Sequence, residues 1–224
     1  KEFDVFKGNF ERLLRDIAKD ESEEFHKNLV TKFLRATYYK DAFFINTKGR
    51  NDQVIHHAET HESAVAVIIE AKKPKKTGEM LRLDDLNRKA LHELILYFLR
   101  ERITQKNEQL THIIATNINE WFIFDAQIFD TVFAQNKELV AAFQDCEKEK
   151  TTHFFYEYIA KPFVEKLEKE DLPFTYFDIR DYEEGLRDAE EEKKLIALYK
   201  IFSPEHLLKR SFANDSNTLD VQFY

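Results

Sequence analysis

The sequence has one cysteine, one tryptophan and one methionine among its 224 residues. A single cysteine, Cys146, excludes an internal disulfide and any zinc cage built on several thiolates, and it suits a reducing compartment such as the cytoplasm. Four glycines and four prolines leave little turn chemistry for a loop-rich all-β design. No apolar run approaches the ~20 residues a membrane helix needs, so no membrane partner is expected. The opening Lys-Glu-Phe-Asp-Val-Phe carries no signal-peptide core and reads as the continuation of a longer chain.

What is present is apolar and aromatic. Hydrophobic residues make up 43% of the chain, and 21 Phe and nine Tyr predict an aromatic-rich interior. That length and core suit one large domain, or a domain with an appendage. The net charge of −8 argues against nucleic acid until its placement is read. Residues 165–192 hold 12 acids and four bases, a balance of −8, and the remainder is neutral. Residues 72–89 hold seven bases and three acids. Phosphate affinity follows the local field, so a basic stretch can serve an acidic protein. The acidic run reads most simply as a solvated face.

Hydrophobic spacing orders the elements. Phe10, Leu13, Leu14 and Ile17 recur at helical spacing up to Lys19. Ser22 opens a second helix whose stripe is Phe25, Leu29, Phe33 and Leu34. Ala42–Asn46 and Asp52–His57 read as strands joined by a turn at Thr47–Asn51. Ala64–Lys72 is a nearly continuous apolar run, as in a strand covered on both faces. Asp84 or Asp85 is placed to cap a long helix reaching Arg102. Strands follow at His112–Thr116 and Trp121–Asp125, helices near 128–144 and 153–169, and a last strand at Pro173–Ile179. Leu195–Phe202 is helical, with Pro204 breaking it. The order predicts an α/β fold with a mixed sheet flanked by helices.

Chemistry concentrates between residues 52 and 72. Asp52 opens one strand, and 18 positions later the apolar strand ends in Glu70-Ala71-Lys72. Alternate side chains of a strand share a face, so Glu70 and Lys72 project together. A hairpin brings Asp52 alongside. Two carboxylates and the Ala71 carbonyl form a hard oxygen set suited to Mg²⁺, with Mn²⁺ as a substitute, and Lys72 is placed to orient a water and offset transition-state charge. Glu24 is a further candidate ligand. The pattern Glu-x-Lys alone is weak, since it recurs at Glu191/Lys193 and Glu192/Lys194. Those copies lie in a helical run, where i and i+2 do not face each other. His92 and Tyr97 are accessory candidates on the helix after the motif. His56, His57 and His61 lack regular ligand spacing and read as turn and strand surface. Lys73, Lys75, Lys76, Arg82, Arg88 and Lys89 are candidates for DNA-backbone contact. Trp121, Phe122, Phe124, Phe154 and Phe155 read as core.

At Asp52…Glu70-Ala71-Lys72 the chain resembles the PD-(D/E)xK nucleases, whose members share a restriction-endonuclease-like core. The likeness extends to Glu-Glu-Phe-His-Lys-Asn-Leu (23–29), Tyr-Tyr-Lys (38–40), Asn-Thr-Lys-Gly-Arg-Asn-Asp (46–52), Val-Ile-Ile-Glu-Ala-Lys-Lys-Pro (67–74), Lys-Ala-Leu-His-Glu-Leu-Ile-Leu-Tyr (89–97) and Thr-Asn-Ile-Asn-Glu-Trp-Phe-Ile-Phe-Asp (116–125). These phrases resemble the N-terminal region of bacterial type IIG restriction enzymes, which fuse nuclease, adenine-N6 methyltransferase and target recognition. Two departures stand out: Asn51 replaces the proline of the family's name, and His92 sits where related nucleases often carry Gln. The resemblance implies N-terminal helices at 1–40, a nuclease core at 41–185, and the start of a helical connector at 186–224. It implies Asp52, Glu70 and Lys72 as the catalytic set, double-stranded DNA as substrate, a transient second copy for double-strand cleavage, and methyltransferase and recognition domains elsewhere in the polypeptide. S-adenosylmethionine belongs to that other part, because no Asn-Pro-Pro-Tyr motif or Gly-rich cofactor loop occurs here. The rival expectation is a catalytically silent nuclease-fold scaffold that binds DNA and positions the methyltransferase.

Overall fold

The strongest strand signal in the sequence becomes an interior strand of the sheet. A computed structural model describes residues 1–17, 21–40, 42–46, 53–75 and 78–209. Two helices come first, α1 (Glu2–Ile17) and α2 (Glu23–Leu34), followed by strands β1 (Ile45–Asn46), β2 (Gln53–His56) and β3 (Val65–Ala71). Helix α3 (Lys89–Leu99) leads to β4 (His112–Thr116) and β5 (Glu120–Asp125). Helices α4 (Ala126–Phe129), α5 (Lys137–Glu149), α6 (Thr152–Phe155) and α7 (Lys161–Val164) precede β6 (Thr175–Asp178), and α8 (Glu192–Ile201) and α9 (Pro204–Leu207) follow it.

The six strands lie in sequence order. Only β3 and β4 pair in parallel, with α3 as the crossover, and every other neighbouring pair is antiparallel. The expected mixed sheet flanked by helices is therefore the observed architecture. Alternation along β3 divides two cores. Ile68 joins α3, Phe122 and Phe124 in one, while Val67 and Ile69 join α1, α2, Trp121 and α8 in the other. Both faces are covered, which is why all seven residues of β3 are buried.

Local signals explain the ends. The Ser22 hydroxyl accepts a hydrogen bond from the Phe25 amide at 3.1 Å, the cap expected for α2. The start of α3 differs from expectation. Asp85 does not cap it. Its carboxylate accepts from the Asn87 amide at 2.9 Å, and Arg82 and Asp85 form an isolated bridge, so 82–88 is a turn and Arg88 takes the N-cap. Pro204 does not simply end a helix: it sits in the first turn of α9, where its missing N–H costs nothing. His56 also differs. It is fully buried, with its ring between the Ser63 carbonyl at 2.6 Å and the Asn46 side chain at 2.9 Å. No helix among the described residues is long and apolar enough to cross a membrane.

Candidate active site

β3 delivers Glu70 on the face that packs against α3, the face of Ile68 two residues earlier. Lys72 follows just past the strand, tied by its amide to the Thr116 carbonyl at 2.8 Å. Both side chains are buried, Glu70 at 1% and Lys72 at 3% exposure. The Lys72 ammonium lies 2.6 Å from Glu70 Oε1 and 2.5 Å from Glu93 Oε2. Glu79 Oε2 stands at 3.8 Å from the same nitrogen. Lys89 closes the outer side, 3.4 Å from Glu79 and 3.8 Å from Glu93. Burial alone would lower the pKa of Lys72, but Glu70 and Glu93 together outweigh it and raise it, so the side chain stays cationic.

Glu93 is the residue that sequence reasoning misses. It is an acid in a helix whose residues from Ala90 to Leu99 are all buried. A carboxylate there needs a charged partner, and Lys72 supplies it. The usable signal is its isolation within an apolar helix, four residues after Lys89. One turn further along α3, Tyr97 shares a hydrogen bond with Tyr156, whose hydroxyl is pushed up to about 12 by burial and then by the charge of Glu93. Tyr97 thus belongs to this cluster. His92 belongs elsewhere: its Nε2 lies 2.6 Å from the Asn87 side chain, and burial lowers its pKa to about 4.

Asp52, Lys76 and the turn at Thr47–Asn51 lie outside the described residues. Gln53, next to Asp52 in the chain, pairs with Ile69, next to Glu70. Ala71 is buried in register with Thr116. Glu24 is exposed in the first turn of α2, in the helix layer across the sheet from Glu70. Of the basic candidates, Arg82 pairs with Asp84 at 3.0 Å, Arg88 with Asp85 at 2.7 Å, and Lys89 with Glu79. Lys73 is half-buried and Lys75 exposed beyond the strand. Of the predicted aromatic core, Trp121, Phe122, Phe124 and Phe155 are buried and Phe154 packs half-buried against the core, with the Trp121 indole N–H donating to the Ile118 carbonyl at 2.8 Å.

The turn after β4 is strained. Ile118 holds a φ of 75°, a genuine outlier for a β-branched residue. Its amide donates to Thr116 Oγ1 at 2.8 Å, and the Asn117 side chain accepts from the Glu120 amide at 2.7 Å. This fixes the loop beside Lys72 at the carboxyl ends of the two parallel strands, the usual place for ligands on such sheets.

Fit to a metal can be tested on the donors. Glu70, Glu79 and Glu93 offer hard carboxylate oxygen, the donor type that Mg²⁺ prefers. Among the described residues, no three such side chains gather closely enough to hold a metal by themselves. The oxygen chemistry fits Mg²⁺, with the acid named for the remaining position, Asp52, outside the described residues.

Fold and site together define an α/β protein with a buried glutamate–lysine–glutamate centre at the end of its parallel strand pair. The chain belongs to the family described as a domain of unknown function (DUF7149), whose model matches residues 1–215. No curated protein and no solved structure matches it.

Proposed function

We propose that the chain is a Mg²⁺-dependent nuclease domain hydrolysing phosphodiester bonds of double-stranded DNA. The observation that carries the reading is the convergence of Glu70, Lys72 and Glu93 in one buried cluster at the carboxyl end of β3. We further propose that it acts in the cytoplasm as the nuclease part of a type IIG-like restriction–modification polypeptide, which supplies the methyltransferase and target recognition. A second copy engaged transiently would cut the other strand.

In this reading Asp52, Glu70 and the Ala71 carbonyl would hold the metal, whose chemistry when bound would be Lewis-acid polarisation of a phosphoryl oxygen. Lys72 does not serve as a base, because its two carboxylates keep it protonated. It donates hydrogen bonds to the attacking water and to the charge that grows on the phosphorus oxygens, in a site where burial strengthens both. Glu93 holds the ammonium in position from the helix side. Buried Tyr97, hydrogen-bonded to Tyr156, stands next to the cluster on α3.

Calorimetric titration of Mg²⁺ and Mn²⁺ should show binding to the wild type that disappears in Glu70→Gln and Asp52→Ala. Cleavage of plasmid DNA by the complete polypeptide should fall about 10²–10³-fold in Lys72→Ala. DNA binding with no hydrolysis by the complete polypeptide would replace the enzyme with the silent scaffold.

A further inference from the structure

Three surface clefts among the described residues differ in charge. One, of about 730 Å³, is walled by α1, the helical turns Ile179–Leu186 that follow β6, and the segment after β3. Five bases line it: Lys7, Arg15, Lys75, Arg180 and Arg187. Against them stand two acids, Glu11 and Glu183, a formal +3. A second cleft, of about 410 Å³, carries Asp84, Asp85, Glu165 and Glu168 against Lys169, a formal −3. A third has Glu62, Glu101 and Glu108 against Lys106, a formal −2.

The basic cleft is built against the composition around it. Residues 165–192 contain only four bases among 12 acids, and two of those four, Arg180 and Arg187, line the cleft. Of the acids in that stretch, only Glu183 does. The bases have acid neighbours, but most of these lie outside the cleft: Glu192 for Lys7, Asp16 for Arg15 at 3.6 Å, and Asp178 for Arg180 at 2.9 Å. Arg15 and Arg187 are 68% and 81% exposed, so their ion pairs are weak and readily exchanged for phosphate.

Position links the cleft to the candidate active site. Pro74 and Lys75 line it two and three residues after Lys72, and Asn119 lines it from the strained turn after β4. Glu70 leaves the sheet on the α3 side, whereas α1 covers the other side. The cleft and the carboxylate cluster therefore flank the same strand ends. By contrast, Arg82 and Arg88 each pair with an acid of the negative cleft, Asp84 and Asp85.

We propose that the cleft between α1 and the turns after β6 binds the sugar-phosphate backbone of DNA and leads it across the strand ends to the Glu70–Lys72 cluster. The assignment of the bound polyanion rests on the nuclease reading, but binding needs no hydrolysis and can be measured apart from it.

The test is fluorescence anisotropy of a labelled DNA duplex with the full chain in chelator, over a salt series. Wild type should bind, and salt should weaken it. Arg15→Ala/Arg187→Ala, altering two exposed side chains, should weaken binding about tenfold and reduce the salt slope by about 2, since each arginine neutralises one phosphate. Wild-type affinity and slope in that double variant would overturn the proposal. So would absence of binding by the wild type, or a loss caused instead by Arg82→Ala/Lys89→Ala. If the double variant loses binding while the complete polypeptide never cleaves with Mg²⁺ present, the cleft stands and the nuclease reading falls.

Discussion

At the scale of single residues, the central question is why two carboxylates are buried beside one lysine. An unpaired buried charge costs several kcal/mol, so each acid depends on the ammonium and the ammonium on both acids. Lys72 is therefore structural as well as chemical. Replacing it by Met leaves Glu70 and Glu93 buried without their shared cation, and we expect a loss of about 3–5 kcal/mol by urea denaturation. Glu93→Gln keeps a hydrogen-bond acceptor and should cost less, about 1–2 kcal/mol. A Lys72→Met chain as stable as the wild type would refute the shared-cation arrangement. Half of this cluster is legible in the sequence: the strand period fixes Glu70 and Lys72 on one face without any tertiary information. Glu93 is not, because which face of an apolar helix meets the strand end depends on packing. His92, adjacent to it, draws attention by residue type, yet 100° of helical rotation turns it to Asn87.

Elements with one strong period stand nearly where their pattern places them. β4 matches its expected limits, His112–Thr116, and β3 and β5 lie within a residue of theirs, because β-branched and aromatic alternation needs only neighbouring strands to be realised. Edges are harder. β1 shrinks to Ile45–Asn46, while Phe44 bonds through its backbone to Ala58 and His56 outside the ladder. The helical pattern near 128–144 is divided at Asn136, whose side chain accepts from the Leu139 amide and starts α5 afresh. Close approach is the feature least visible in sequence. Gly185 lies so near α8 that a Cβ there would meet Leu195 Cβ at 2.9 Å and the Glu191 carbonyl at 3.0 Å. Both obstacles are at or near backbone, so neither yields easily. Gly185→Ala should push α8 from its seat and cost about 1–3 kcal/mol, read as a lower midpoint in a thermal melt. An unchanged midpoint would mean that α8 shifts without loss of packing.

For the molecule as a whole, charge and titration act through burial. The overall −8 conceals a sorting that the sequence shows only as runs. The acidic run 165–192 is largely exposed, as its composition suggests, but the position of its later part, 180–187, beside α1 and the pairing of residues 82–89 with acids emerge only from the fold. Histidines give the global consequence. His92 and His206 are lowered from 6.5 to about 4, both by burial first. His112 is lowered as well: burial outweighs the Leu207 carbonyl at 2.8 Å, and the tilted His206 ring lies 5.4 Å from the His112 ring. All three are therefore neutral when folded. In the unfolded chain they bind protons near 6.5, so below that pH the unfolded state carries more protons than the folded one. Their contribution to stability is complete above about 6.5 and is lost as pH falls toward 4. Stability by urea denaturation should accordingly drop between about pH 7.5 and about pH 5, on the order of 2 kcal/mol for each of His92 and His206, with His112 adding in the same direction. His206→Asn should flatten part of that dependence, because one proton-linked group is removed from the docking of α9 on β4. Equal midpoints at the two pH values would show that these rings are hydrated in solution, and the seat of α9 against His112 would have to be drawn more loosely.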